Sequence, residues 1–184
     1  MSVYLIRHGL TKGNLEGRYI GCRTDEALCE QGIKQLETLR MPKVSRVFVS
    51  PMKRCIQSAE ILFPGAEQIV VPDFRECDFG AFEGKNYSEL NGDPAYQAWI
   101  DSGGELAFPG GESRKQFAQR CVCAFEKLGL LASDEDCAVV AHGGTVMAIM
   151  EKYARPHGGY FDFQVKCGEG YIMEMNGNYT KYYL

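Results

Sequence analysis

The 184-residue sequence predicts an α/β fold, a three-layer sandwich with a mostly parallel central sheet, helices on both faces and an antiparallel C-terminal hairpin. Two observations carry this. Short apolar runs fall at about 2–6, 46–49, 68–71, 137–142 and 162–166, and helical patterns separate most of them, as expected when parallel strands are joined by crossover helices. Near the C-terminus, Tyr171–Met175 and Tyr179–Tyr183 flank Asn176-Gly177-Asn178, residues suited to a tight hairpin turn.

The first run, Val3-Tyr4-Leu5-Ile6, leads directly into Arg7-His8-Gly9. Strand exits of this kind are where α/β proteins bind ligands. After the second run, Ser50-Pro51 reads as a helix N-cap followed by proline at the first helical position. The helix would place Met52, Cys55, Ile56, Ala59 and Leu62 on one face and Arg54 in its first turns. The third run continues into Val71-Pro72-Asp73-Phe74-Arg75-Glu76. From about 79 to 111 the chain is rich in glycine and aromatic residues, with short helical potential at Pro94–Ile100; a stretch this long is expected to form a lid over the site. Ser113 and Gln116 form a possible capping box for a helix with Phe117, Cys121, Ala124, Leu128 and Leu131 on its apolar stripe. The fourth run then echoes the first, with His142-Gly143-Gly144 preceding a helical pattern from Thr145. No internal repeat or linker interrupts this order, so residues 1–184 are expected to form one domain.

Composition narrows the function. A net charge of −4 argues against a broad nucleic-acid surface, and no apolar stretch approaches the length of a membrane span. Without a basic leader before an apolar region, the chain is expected to stay in the cytoplasm. The eight cysteines are scattered and read as reduced; Cys121-Val122-Cys123 lacks the spacer of a zinc site and is expected to pack in the interior. The sequence does not fix the oligomeric state.

Only three histidines are present, and two of them stand at strand exits, which suggests one shared site. Arg7 and Arg54 offer planar forks suited to phosphate oxygens, Asn14 a further donor, and Gly143 a backbone N–H at a helix start. A phosphate is the natural ligand. No cysteine has arginine six residues later, and Gly84-Lys85 lacks the other residues of a P-loop, which leaves histidine as nucleophile. The leaving oxygen needs an acid. Glu76 is the first candidate and Glu83 the second, because a carboxyl beside bound phosphate has a raised pKa.

These residues fall in segments that resemble the histidine phosphatase superfamily, the phosphoglycerate mutase-like proteins, over nearly the whole chain. Leu5-Ile6-Arg7-His8-Gly9-Leu10-Thr11-Lys12-Gly13-Asn14 is similar to the family's opening motif, and Tyr19–Gly32 to its continuation, with one extra residue near Cys22. Ser50–Ala59 resembles the second arginine motif, Phe74–Gly84 the acid motif and His142-Gly143-Gly144 the closing motif. The resemblance implies His8 as the phosphorylated nucleophile, phosphoryl binding by Arg7, Asn14, Arg54 and His142, Glu76 as general acid, and no metal. His157 matches no motif and is expected to lie in a loop.

The family contains phosphatases and mutases. A bisphosphate mutase needs cations for a second phosphate, yet Cys77–Ser113 holds Lys85 alone against seven acidic residues, which favours hydrolysis of a small phosphomonoester. The same stretch contains Phe79, Phe82, Tyr87, Tyr96, Trp99 and Phe108, enough either to stack on an aromatic substrate or to pack among themselves. Its wording is most similar to bacterial α-ribazole phosphatases, which act on α-ribazole 5′-phosphate in cobalamin biosynthesis. A broad-specificity sugar or nucleotide phosphatase and a phosphoglycerate mutase remain alternatives, with a non-catalytic phospho-ligand module further behind.

Overall fold

The computed structural model describes residues 1–132, 134–174 and 176–182. Among the described residues six strands form one sheet: β1 (Ser2–Arg7), β2 (Arg46–Val49), β3 (Glu67–Val70), β4 (Cys137–Ala141), β5 (Gly170–Glu174) and β6 (Tyr179–Tyr182). The α-helices described are α1 (Lys12–Leu15), α2 (Glu30–Glu37), α3 (Lys53–Leu62), α4 (Tyr87–Leu90), α5 (Pro94–Asp101), α6 (Arg114–Lys127) and α7 (Gly143–Tyr153). The strand order is β3-β2-β4-β1-β5-β6, with the first four parallel and β5 and β6 antiparallel at one edge.

Strand side chains alternate between faces, so each inner strand feeds two cores. Val3, Leu5, Phe48, Val139 and Ala141 pack with α6 and α7 through Phe125, Val146 and Ile149. Ile6, Val47, Val49, Ala138 and Val140 pack with α2 and α3 through Leu36, Cys55, Ala59 and Leu62. Helices therefore cover both faces, as the apolar runs require. The Asn176-Gly177-Asn178 turn joins β5 to β6, and Gly177 adopts φ +85°, a conformation that glycine reaches without a Cβ penalty. Met175 and Tyr183, which bound the predicted strands, lie outside the described residues.

Two predicted elements are corrected. Residues 162–166 do not form a strand: Tyr160–Phe163 is a 3₁₀ turn and the chain then runs extended without a ladder. Phe163 and Val165 are buried, so the apolar residues that suggested a strand do face the interior. The place beside β1 is taken by β5, and the Val165 carbonyl instead accepts from Arg7 Nη1 at 2.8 Å. The third helix starts later than Ser50-Pro51 implies, with Met52 as N-cap and no side-chain capping bond. Ser50 is fully buried, and its hydroxyl meets both the Met52 N–H, at 3.4 Å, and a group at the exit of another strand. By contrast, Ser113 and Gln116 do form the capping box of α6, and Asp93 caps α5 through the N–H groups of Ala95 and Tyr96.

Residues 79–111 fold into a 3₁₀ turn, α4, α5 and connecting loops. Phe82, Leu90 and Phe108 form a third small core with Phe117, Cys121 and Val122 of α6. Arg23 ties the 18–24 loop to this segment through Asp78, at 2.7 Å, and the Gly110 carbonyl, while Arg18 reaches Glu89 and the Gly84 carbonyl. Among the described residues no helix is long and apolar enough to cross a membrane.

Candidate active site

Parallel register builds the site. Arg7 of β1 pairs with Ala141 of β4, so the next residues, His8 and His142, leave adjacent strands side by side. The His8 N–H donates to the Ala141 carbonyl at 2.9 Å, and the two rings lie 5.2 Å apart, edge to face. One strand further, the Ser50 N–H donates to the Val140 carbonyl, and Ser50 Oγ shares a 2.8 Å hydrogen bond with His142 Nε2. Sequence reading missed this role, since Ser-Pro is locally a good helix start and its partner is 92 residues away.

His8 is 3 % exposed, and its Nδ1 lies 2.7 Å from the Gly9 carbonyl. A carbonyl only accepts, so Nδ1 carries the proton and Nε2 keeps its lone pair. Burial, then Arg54 and Arg7, hold the His8 pKa well below its ordinary value; burial, Arg54 and His8 do the same for His142. Both rings are thus neutral near pH 7.

Arg54 on α3 is fully buried and donates to the carbonyls of Thr24, Ile20 and Gly21, which fixes its fork. Its Nε and that of Arg7 are buried with no hydrogen-bond partner. Buried donors are almost always satisfied, so two orphaned guanidinium N–H groups beside a histidine pair fit an anion. Asn14 caps α1 with Thr11, committing its Oδ1 to the Thr11 N–H and leaving its amide donors for another acceptor. Arg7 and Asn14 line one cavity of about 460 Å³, together with Lys166 and Arg18. Gly143 opens α7 directly against Arg7, where a Cβ would lie 3.5 Å from the guanidinium. Gly144 serves packing instead, since a Cβ there would sit 2.6 Å from the Phe117 ring.

Glu76 follows β3 by a short 3₁₀ turn. Its Oε1 accepts from the Cys77 N–H at 2.9 Å, and Oε2 lies 3.6 Å from His142 Nδ1. Burial raises its pKa against the opposing pull of that N–H, Arg54 and Arg7. Because the His142 ring is neutral, the contact is not an ion pair. The segment is braced from α6: Arg120 donates to the carbonyls of Asp73 and Arg75 and pairs bidentately with Glu112, which accepts from the Asp78 N–H. Nothing in the local sequence pattern marks this brace. Glu83 points elsewhere, accepting from the Gly21 N–H at 2.9 Å.

Glu76 also borders a second cavity of about 270 Å³, walled by Tyr19, Phe79, Trp99, Phe108, Phe117, Tyr160 and Phe161. Of the aromatic residues expected there, Phe82 is interior and Tyr87 is 72 % exposed, while α6 and the 160–163 turn supply rings that the sequence did not point to. Cys55 lies 3.6 Å from His142 Nε2, and burial pushes its thiol up to about 12, so it stays protonated. All eight cysteines are free, and His157 is an exposed loop residue beside Arg155. Among the described residues no group of three His, Cys, Asp or Glu side chains could hold a metal.

The burial of both histidines makes stability pH-dependent. Their folded pKa values lie below the unfolded value of 6.5, so this contribution is complete above that value and is lost as pH falls. The loss approaches about 1.4 kcal/mol per pH unit for each ring. Glu76, shifted upward, acts in the opposite sense, and its contribution fades as pH rises through its raised value. The urea midpoint is expected to drop between pH 7 and 5, less steeply in His142→Gln; a level midpoint over that range would contradict neutral burial.

The model of the histidine phosphatase superfamily (branch 1) matches residues 3–182. An adenosylcobalamin/α-ribazole phosphatase of Salmonella typhi is 27 % identical over 177 residues, 91 % of this chain and 87 % of that protein. A metal-independent phosphoserine phosphatase of Arabidopsis thaliana is 35 % identical over 158 residues, 80 % of this chain and 66 % of that protein. The crystal structure of the α-ribazole phosphatase from Shigella flexneri superposes with a TM-score of 0.85 at 24 % identity, covering 100 % of this chain and 96 % of the other.

Proposed function

This chain belongs to the histidine phosphatase superfamily, and on that premise we propose that it hydrolyses a small phosphomonoester through a phosphohistidine formed on His8. The observation that carries the reading is the neutral, oriented His8 beside two orphaned guanidinium N–H groups, with Glu76, whose carboxyl burial pushes toward its protonated form, across the pocket.

In the first step His8 Nε2 attacks phosphorus as the ester P–O bond breaks. Arg7 and Arg54 bind the phosphoryl oxygens, with Asn14 and the Gly143 N–H as further donors, and offset their charge as it spreads. With the Ser50 hydroxyl donating to His142 Nε2, His142 Nδ1–H becomes another donor. The Glu76 proton passes to the leaving oxygen. In the second step the Glu76 carboxylate takes a proton from water, whose oxygen attacks phosphorus as the P–N bond breaks, giving phosphate and neutral His8. No step uses a metal. We read residues 1–184 as one domain in which the 79–111 segment is a lid.

For the substrate, α-ribazole 5′-phosphate is favoured. The aromatic cavity beside Glu76 suits its benzimidazole ring, and several relatives carry that activity in their names. Arg114, just beyond the acidic stretch, borders the cavity but is paired with Glu105, so a second phosphate has no dedicated partner there, and a mutase is disfavoured. The test is a panel of α-ribazole 5′-phosphate, mononucleotides, phosphoserine, 3-phosphoglycerate and fructose bisphosphates. Specificity, as kcat/KM, is expected to favour α-ribazole 5′-phosphate at least about tenfold. Equal slow turnover of all would replace this assignment with a broad-specificity phosphatase, and phosphate moved between positions of 3-phosphoglycerate would replace hydrolysis with mutase activity.

A further inference from the structure

We propose that Trp99 is a specificity-determining residue whose indole N–H donates to an acceptor atom on a flat heteroaromatic leaving group seated in the aromatic cavity. The inference rests on the phosphomonoesterase reading above and adds the feature by which the site distinguishes one ring from another.

Trp99 lines the cavity that Glu76 borders, yet its Nε1 is buried with no hydrogen-bond partner. The same mark, a buried donor without an acceptor, characterises Arg7 and Arg54 at the phosphate end. A donor in such a place is costly unless something brought into the site completes it. The ring is not free to turn away. It stacks on Tyr96 at 14°, lies 5.0 Å from Phe108, and is approached by Gly104, where a Cβ would come within 3.4 Å of it. Gly104 holds φ +77°, which suits glycine at this close approach.

The remaining walls define the occupant. Phe79, Phe108, Tyr160 and Phe161 offer apolar ring surfaces, and the cation at the edge, Arg114, lies 5.4 Å over Tyr160 and is engaged by Glu105. An aliphatic or multiply charged leaving group would leave those faces and the indole N–H unmatched. A flat ring with a single in-plane acceptor matches both. A benzimidazole riboside has one, the ring nitrogen not bonded to the sugar.

Two probes test this directly: benzimidazole riboside 5′-phosphate and the indole riboside analogue, in which that nitrogen is replaced by C–H. The native enzyme is expected to show about tenfold lower kcat/KM for the indole ester, mostly through KM. Trp99→Phe, which keeps an aromatic ring but removes the donor, should lose about tenfold on the benzimidazole ester, treat the two esters alike, and change little on phosphoserine. Equal losses on phosphoserine and the benzimidazole ester would make Trp99 a packing residue and overturn the proposal. So would an unmodified enzyme that does not distinguish the two rings. Because Trp99 is the only tryptophan, binding of the two phosphate-free ribosides can be followed by its fluorescence without catalysis. Discrimination in binding with no phosphate release from any ester would retain the ring site and remove the hydrolase reading.

Discussion

Replacing His8 with alanine is expected to lower phosphate release by at least about 10,000-fold and to abolish acid-labile, alkali-stable labelling from a ³²P-labelled ester. The magnitude follows from what is lost. The imidazole is neutral and oriented by its Nδ1 contact with the Gly9 carbonyl, which leaves Nε2 free to attack, while neighbouring Cys55 is kept protonated by burial. Water attack on the bound ester would remain, assisted by Arg7 and Arg54. His8→Asn, closer in size and polarity, separates loss of the nucleophile from loss of the fold: circular dichroism should be unchanged while labelling disappears. Labelling that persists in either variant would mean that the phosphoryl group is carried elsewhere.

Replacing Glu76 with glutamine is expected to slow turnover by about 100- to 10,000-fold while phosphate still binds, because the amide keeps the shape but has no acidic proton to give. The penalty should shrink for esters with good leaving groups, such as p-nitrophenyl phosphate, which depart without protonation. Glu83→Gln should cost much less, since Glu83 is turned toward the Gly21 N–H. If Glu83→Gln gives the large, leaving-group-dependent loss instead, the acid has been misassigned. The native rate should also fall as pH rises through the raised pKa of Glu76, a limb that Glu76→Gln would remove.

Local signals in the sequence were strong where one residue's neighbours determine its state. The runs at Val3–Ile6 and Ala138–Ala141 had to be buried strands, and the residues after them had to emerge at an edge where chemistry is accessible. The capping residues of α6 were legible because the cap is a contact across three positions. Signals failed where the deciding partner is remote. Ser50 was read as a cap, but His142 claims its hydroxyl; Phe163 and Val165 alternate as strand residues do, but β5 already occupies the edge of β1. Neither outcome can be weighed without knowing which segments are adjacent.

The site divides the same way. Arg7, His8, Asn14, Arg54, Glu76, His142 and Gly143 could be named from strand exits, residue chemistry and resemblance, because each sits in a motif of consecutive residues. Their burial, the tautomer of His8, the upward shift of Glu76 and the α6 brace through Arg120 and Glu112 depend on tertiary packing. So does the aromatic cavity, whose rings come from four separate parts of the chain. The sequence by itself determined the fold class and the candidate reaction chemistry, which rest on backbone periodicity and side-chain identity. Only the tertiary structure decided which groups lose water, which donors lack partners and which rings share a cavity, because desolvation and contact depend on residues far apart in the chain.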